Sequence, residues 1–446
     1  MNIGPHCNNR SRTFKRLGSP GLNMGFRDLV DGIRTVKDPI SVNYDMKIAS
    51  ESSGNQPLLF NEIIESHGQR AVTNILTRHR LCEAFDVEPG ELIDILSWAM
   101  ENPCDTVLVD PGSAPVLENR MANTDISILP IPWHYREDGG RYQSSSIIIA
   151  QYGGQRNTSF HRQLLKGPDR TTVRLVPRHL RTMADQAYEN NEDVPIAVVN
   201  GPDPLVLLAA AMSFNEPIDE LRVASALHER LYGAKLGLVE LPNGVQVPAE
   251  SEYAMEARIT TKLDDEGPYV DITGTVDDIR QEPVIEYDSI YHRNEPIFHA
   301  LIPAGVEHMT LMGMPRAPTI KTAVSEVVTC TDVYLTDGGS GWLSSVVQIV
   351  PENSGDSMRA IRAALDGHKS MKQVIVVDTD IDVTNSTRVE WALMTRWQPD
   401  KDTLILSDQK GSSLDPSRSP EGTTSKIGID ATIEPGADRT PFESVL

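Results

Sequence analysis

Apolar residues recur at helical spacing over residues 26–34, 69–80 and 90–101, which predicts three amphipathic helices. Val107-Leu-Val and the stretch before Asn61 are strand-like, so the chain opens with an α/β segment, residues 24–115. The pattern then changes. Between 116 and 305 short β-rich runs dominate: Ser127-Ile-Leu, Ser146-Ile-Ile-Ile-Ala, Thr172-Val-Arg-Leu-Val, Pro195-Ile-Ala-Val-Val, Tyr253 to Thr261 and Val284 to Tyr291. Two helices interrupt them, over 179–190 and 218–231. The second carries Asp219-Glu220 in its first turn, where acids suit the helix dipole. This predicts a barrel-like middle domain with helical insertions. From 306 to 446 the order alternates: a helix after Pro318, strands Val333-Tyr-Leu and Val346 to Val350, helix 356–366, strand Val374 to Val377, helix 386–397 and strand Thr403 to Leu406. Residues 408–446 are rich in Ser, Gly, Pro and Thr and read as a tail with little core of its own. The expected fold class is α/β, an α+β multidomain chain.

At 446 residues two or three domains are expected. The net charge of −22 argues against a nucleic-acid partner, although a local Arg cluster can still bind an anion in a cleft. Four cysteines, Cys7, Cys82, Cys104 and Cys330, lie far apart with no C-x-x-C pair, which fits a reducing, cytoplasmic compartment. The longest apolar run, Pro204 to Phe214, is about half of a bilayer span, so no membrane crossing is expected. Residues 1–23 hold four basic residues, no acid and no apolar stretch. They are not a secretory signal; they read as a disordered extension, or else the true start is Met24. No phosphate-binding loop, dinucleotide fingerprint, zinc-protease helix or serine-hydrolase elbow is present. Asp337-Gly-Gly-Ser-Gly-Trp342 is glycine-rich and reads as a tight loop.

The chemistry concentrates elsewhere. Glu266-Gly-Pro-Tyr-Val-Asp271 sets two carboxylates five residues apart across a Gly-Pro turn, so both can face one pocket. Two acids in one pocket cannot both ionise freely, and one becomes available as a proton donor near neutrality. The plain alternative is a polar turn between strands. Asn157-Thr-Ser-Phe-His-Arg162 offers an amide oxygen and a planar cation, but on a regular strand a five-residue offset puts the two on opposite faces, so a bend is required. His179, beside Arg178, and Glu220 are candidate ligands for a divalent ion. With Asn157 they make a mixed N/O set that suits manganese or magnesium better than zinc.

Taken together, these residues resemble the UbiD family of prenylated-flavin-dependent decarboxylases, in its shorter archaeal and bacterial form. The likeness runs from Phe26 to Ala431. The family's E-x4-D/E matches Glu266 and Asp271, its N-x4-R matches Asn157 and Arg162, its metal-binding His matches His179, and its metal-binding Glu matches Glu220. Asp138-Gly-Gly-Arg-Tyr, Val247-Pro-Ala-Glu-Ser-Glu, His299-Ala-Leu-Ile-Pro-Ala-Gly, Gly411-Ser-Ser-Leu-Asp and Ser425-Lys426-Ile-Gly-Ile-Asp are further family-like runs. Val270 and Thr275 depart from a common glycine and a common tyrosine.

The resemblance implies an N-terminal α/β segment, a split β-barrel that binds prenylated FMN, and a C-terminal α/β domain, assembled as a homodimer or higher oligomer. It implies Asn157, His179 and Glu220 as ligands of Mn2+ (or Mg2+), backbone oxygens of Ala210 to Met212 as a K+ site, and Thr158, Ser159, Arg162, Arg178, Met212 and Lys426 as further cofactor contacts. A flavin prenyltransferase would supply the cofactor. The implied activity is reversible, non-oxidative decarboxylation of an aromatic, heteroaromatic or α,β-unsaturated acid. Arg162 would hold the substrate carboxylate, Glu266 would fix Arg162, and Asp271 would deliver the proton. An anhydromevalonate phosphate type of substrate is the alternative. A non-catalytic flavin binder or carboxylase subunit is a third reading, which the intact acid pair disfavours.

Overall fold

A computed structural model describes residues 25–214 and 216–442. The expectation for residues 1–23 lies outside them. The first sheet runs in the order Arg34–Val36, Leu58–Phe60, Arg70–Thr73, Ile297–His299, so the chain returns to it after the whole middle segment. The long helix expected at 69–80 does not form. Ala71-Val-Thr builds a strand instead, as β-branched residues favour. Asn74 turns left-handed at φ 59°, and Thr77 caps a helix that begins only at Arg78. Likewise, the helix at 26–34 is cut to Phe26–Val30 and followed by a strand, and Ser127-Ile-Leu forms a turn of 3-10 helix over Ile126–Ile128 rather than a strand.

The middle of the chain is a nine-stranded sheet. Its path is Tyr142–Gln143, Gln163–Leu165, Arg170–Val173, Arg280–His292, Tyr253–Glu266, Val194–Asn200, Ile147–Tyr152 and Gln155–Phe160, with Asn119–Arg120 paired to Arg280–His292. The long pair Tyr253–Glu266 and Arg280–His292 is bulged at Glu256/Ala257 and Ile259/Leu263, which bends the sheet. A two-residue link joins its last strand to its second: Phe160 ends the one and Gln163 begins the other. Three Cα steps reach roughly 11 Å at most. The sheet therefore curls until its edges approach, yet no ladder joins them among the described residues. It is a split barrel, not a closed one.

A helix absent from the expected pattern, Pro204–Ala210, lies entirely inside this body. All seven residues are buried, so the sequence shows no amphipathic period. Asp203 caps it by accepting from Leu205 N–H at 2.7 Å.

The C-terminal sheet has the order Thr329–Leu335, Ser344–Val350, Gln373–Asp378, Thr423–Ala431, Thr403–Lys410. Helices Ala317–Ser325 and Asp356–Gly367 share one core with it, and Ser386–Arg396 contributes to the other. Here the expected tail is corrected: Thr423–Ala431 is an inner strand, parallel to Gln373–Asp378. Its Gly428 lies so close to helix Asp356–Gly367 that an added Cβ would stand 2.1 Å from Ile361 Cγ2. Among the described residues no helix is long and apolar enough to cross a membrane.

Candidate active site

Arg162 occupies the seam of the split barrel, in the two-residue link between Phe160 and Gln163. The link supplies the bend that Asn157 and Arg162 require. Neighbouring His161 is held there from both ring nitrogens, Nδ1 by the Arg174 carbonyl and Nε2 by Ser159 Oγ, each at 3.0 Å. Burial pushes His161 down to about 4, so near neutrality it is uncharged.

From the seam the Arg162 guanidinium reaches three carboxylates. Nε and Nη2 donate to the two oxygens of Glu266, both at 2.9 Å. Nη1 donates to Asp271 at 3.0 Å, and Nη2 also donates to Asp277 at 2.8 Å. The ring of Tyr269 lies beneath it, 4.6 Å from centroid to Cζ. Four of the five guanidinium N–H groups are thereby used. Burial works against the Arg162 charge, but Glu266 and then Asp271 outweigh it and raise the group above its ordinary value. The Glu266 side chain is 0% exposed, whereas Asp271 and Asp277 are 26% and 27% exposed. Glu266 also accepts from Tyr142 Oη at 3.1 Å.

The turn that carries the acids is shaped by close packing. Gly267 has φ +100°, and a Cβ on Gly139 would stand 2.5 Å from the Gly267 carbonyl oxygen. Gly139 N–H donates to the Pro268 carbonyl at 2.8 Å, and Val270 N–H donates to Asp138 at 2.8 Å. The family-like run at Asp138 is therefore the platform for the Glu266–Asp271 turn. Burial raises Asp138 to about 6.

Sequence reasoning missed Asp277. It follows Gly274 and reaches Arg162 because the short hairpin pairs Tyr269 with Asp277. An acid six residues beyond Asp271, across a glycine, was the available signal. Burial raises Asp277, but hydrogen bonds from Arg280 and Arg162 outweigh it and hold the acid down at about 2. His308 was missed as well. Its Nδ1 accepts from Ala304 N–H at 3.2 Å. Burial lowers its affinity for a proton, with Asp271 and Glu307 opposing.

The second group of candidates lies on the same strand. Asn157 Nδ2 donates to Glu220 Oε1 at 3.0 Å and Thr158 N–H to Oε2 at 2.7 Å. Ser159 Oγ lies 2.9 Å from Asn157 Oδ1, the second acceptor within reach of its one proton beside His161 Nε2. Burial pushes Glu220 up to about 8, against the donors Thr158 and Asn157. Asp219, the cap of helix Glu220–Tyr232, holds Arg156 with its shortest contact at 2.6 Å. His179 opens helix His179–Glu189, which packs on strand Gln155–Phe160, but it hydrogen-bonds to neither Asn157 nor Glu220. Arg178 hydrogen-bonds to Ser213, Met212 is buried in the same loop, and Lys426 donates to the Lys369 carbonyl at 2.5 Å. No three His, Cys, Asp or Glu side chains gather around Glu220 among the described residues, but hard oxygen donors beside a buried carboxylate fit a divalent cation. So does the Thr158 hydroxyl, buried with no partner among the described residues. For Asn157 to ligate it, the amide must turn its oxygen inward.

The site is thus an arginine-bridged acid cluster at the seam of a curled barrel that is joined to a C-terminal α/β domain. Residues 107–306 match the 3-octaprenyl-4-hydroxybenzoate carboxy-lyase Rift-related domain, and residues 309–431 match the corresponding C-terminal domain. The chain belongs to the UbiD family and is a decarboxylase. It is 40% identical over 420 residues to the anhydromevalonate phosphate decarboxylase of Methanosarcina mazei, covering 92% of this chain and 96% of the relative. A gallate decarboxylase of Lactiplantibacillus plantarum is 27% identical, with 84% of each chain covered. Among solved structures, the UbiD-class enzyme HmfF from Pelotomaculum thermopropionicum in complex with FMN has a TM-score of 0.89 at 32% identity, covering 95% of this chain and 97% of that one. An evolved dimeric form of the same enzyme in complex with prFMN has a TM-score of 0.85 at 31% identity, covering 94% and 96%.

Proposed function

We propose that this enzyme removes CO2, reversibly and without net oxidation, from an α,β-unsaturated acid that carries a phosphate, an acid of the anhydromevalonate phosphate class, with prenylated FMN as cofactor. The observation that carries the chemistry is the single guanidinium that holds Glu266 and Asp271 together at the barrel seam. The substrate class follows the relative that is 40% identical over nearly the whole chain. An aromatic acid is the second reading, favoured by the more distant gallate decarboxylase.

When bound, the cofactor supplies a sink for the electron pair that CO2 leaves behind. The remaining work belongs to the chain. Glu266, braced by Tyr142, holds the Arg162 guanidinium in one plane, and its fifth N–H is available to the substrate carboxylate. Asp277 is shared between Arg162 and Arg280, so Glu266 and Asp271 are the acids that answer to Arg162 alone. Asp271, partly exposed, delivers a proton to the carbon from which CO2 departs. Asn157, His179 and Glu220 would hold Mn2+ or Mg2+ against the cofactor phosphate, and backbone oxygens of Ala210 to Met212 would hold K+. Thr158, Ser159, Arg178, Met212 and Lys426 complete the cofactor contacts. A flavin prenyltransferase supplies the cofactor in the cytosol, and the active form is a homodimer or larger homo-oligomer.

The test is co-expression with a flavin prenyltransferase, followed by measurement of CO2 release from phosphorylated unsaturated acids and from aromatic acids. Turnover of the phosphorylated acid is expected. Asp271→Asn in the loaded protein should lower kcat by about 10²-fold or more. Turnover of aromatic acids alone would defeat the substrate assignment, and an Asp271→Asn variant running at the parent rate would remove the acid's role.

A further inference from the structure

Asp277 answers to two cations at once. Its Oδ2 accepts from Arg162 Nη2 at 2.8 Å, and its Oδ1 accepts from Arg280 Nη2 at 2.7 Å and from Asp278 N–H at 3.1 Å. The cations are placed differently. The Arg162 side chain is buried at the seam, whereas that of Arg280 is partly exposed. Arg280 opens strand Arg280–His292, where it pairs with Glu266, and its Nη1 donates to the Asp278 carbonyl at 3.1 Å. The long strand pair thus sets Arg280 directly across from the acid that fixes Arg162.

The fork of Arg162 gives this sharing a consequence. A planar guanidinium offers two parallel N–H groups to a carboxylate along either of two edges. Glu266 fills the edge formed by Nε and Nη2. The remaining Nη2 N–H, on the edge shared with Nη1, goes to Asp277, and Nη1 gives one of its two N–H groups to Asp271. An incoming carboxylate therefore finds one free N–H, on Nη1. It gains a second, parallel bond only when Asp277 leaves Nη2.

The hairpin that carries Asp277 is anchored on one side and loose on the other. Tyr269 and Val270 of its first strand are buried, and Val270 N–H is held by Asp138. On the second strand Val276 is exposed, as is Ile279 beyond it, and only two residue pairs join the strands. Gly274, at φ +72°, lies in the turn with nothing within 4 Å of where a Cβ would stand. Asp277 therefore has room to swing outward while Glu266 stays in place. Its Oδ1 keeps Arg280 and the Asp278 N–H throughout, so the released carboxylate is never left unpaired.

We propose that Asp277 is a placeholder on Arg162 for the substrate carboxylate, and that Arg280 is the positioning residue that takes Asp277 over when the substrate arrives. In the substrate-free protein Asp277 occupies the Nη2 donor of a buried cation. In the complex the substrate carboxylate takes that donor and Asp277 rests on Arg280 alone. This deepens the proposed function and rests on its assignment of Arg162 to the substrate carboxylate.

Butyrate, a saturated acid that is not turned over, and its neutral amide butyramide are titrated into the holoenzyme, with ligand-observed NMR as the readout. A preference for butyrate is expected in the parent. Asp277→Asn should tighten butyrate about 3- to 5-fold, and Arg280→Gln should weaken it by a similar factor, because Asp277 then falls back on Arg162. In the double variant Arg280→Gln should add nothing to Asp277→Asn, since Arg280 acts only through Asp277. Arg280→Lys keeps a cation for Asp277 and should recover most of the affinity. Butyramide should respond to none of these changes. A parent without preference for butyrate, equal loss from Arg280→Gln with and without Asp277, equal shifts for acid and amide, or no shift in Asp277→Asn overturns the proposal. The titrations need no turnover. If butyrate follows this pattern while neither phosphorylated nor aromatic acids release CO2, the substrate reading fails and the exchange stands.

Discussion

Replacing Arg162 by methionine tests whether the seam is held by charge. The variant keeps much of the side-chain volume and removes every guanidinium donor. Glu266, 0% exposed and bound through both oxygens, is then left with Tyr142 Oη as its one remaining side-chain donor. Breaking a buried pair in this way costs about 3–5 kcal/mol, because the remaining charge stays buried. Asp271 and Asp277 are about a quarter exposed and can rehydrate, so each adds about 0–1 kcal/mol. The expected loss is about 3–5 kcal/mol at pH 7, read from urea unfolding followed by tryptophan fluorescence. Adding Glu266→Gln removes the stranded charge while keeping an acceptor for Tyr142, and the double variant should regain about 2 kcal/mol. The pH dependence has a definite sign. Asp277 is held at about 2, below its ordinary value near 3.8, so its share of stability is present above 3.8 and is lost as pH falls through 2. The gap between parent and Arg162→Met therefore narrows in acid. A single variant within about 1 kcal/mol of the parent, or a double variant less stable than the single, would show that the seam is held by packing rather than by the ion cluster.

Glu220→Gln in metal-free protein should be stabilising at high pH. Burial raises Glu220 from its ordinary 4.5 to about 8, so the parent's stability is fully present below 4.5 and falls as pH rises through 8. The variant should match the parent near pH 4.5 and exceed it at pH 9 by a few kcal/mol on the order-of-magnitude scale. Added Mn2+ should raise the melting temperature of the parent and not of the variant; a parent insensitive to Mn2+ would count against the ligand set. Asp277→Asn takes one acid from Arg162 and frees it toward the substrate carboxylate, so KM should fall several-fold with Asp271 intact, and an unchanged KM would mean that Asp277 does not compete. Gly428→Ala forces a methyl against Ile361 and should cost about 1–3 kcal/mol in urea unfolding, whereas a neutral result would mean that helix Asp356–Gly367 shifts freely.

What could be read from the chain depended on how each residue reaches its place. Glu266 and Asp271 share one turn, and Asn157 and Arg162 flank one strand end, so short spacings exposed them. The helical periods at 90–101, 179–190 and 356–366 were visible because each of those helices has one wet face. Helix Pro204–Ala210 has none, and strand Thr423–Ala431 hides its apolar positions among serine, threonine and glycine, so neither carried a period to detect. Helix 69–80 was misplaced because spacing outweighed the β-branched Val72 and Thr73 and the left-handed Asn74. Asp277 belongs to a further class. It meets Arg162 through the register of a short hairpin whose strands are two residues each. Its partner is fixed by tertiary approach, which spacing along the chain does not encode. A motif therefore locates the groups that share a turn, while a group that sets their charge comes from elsewhere in the fold. In this enzyme it is the third carboxylate on Arg162, a single side chain whose removal leaves every recognised motif intact.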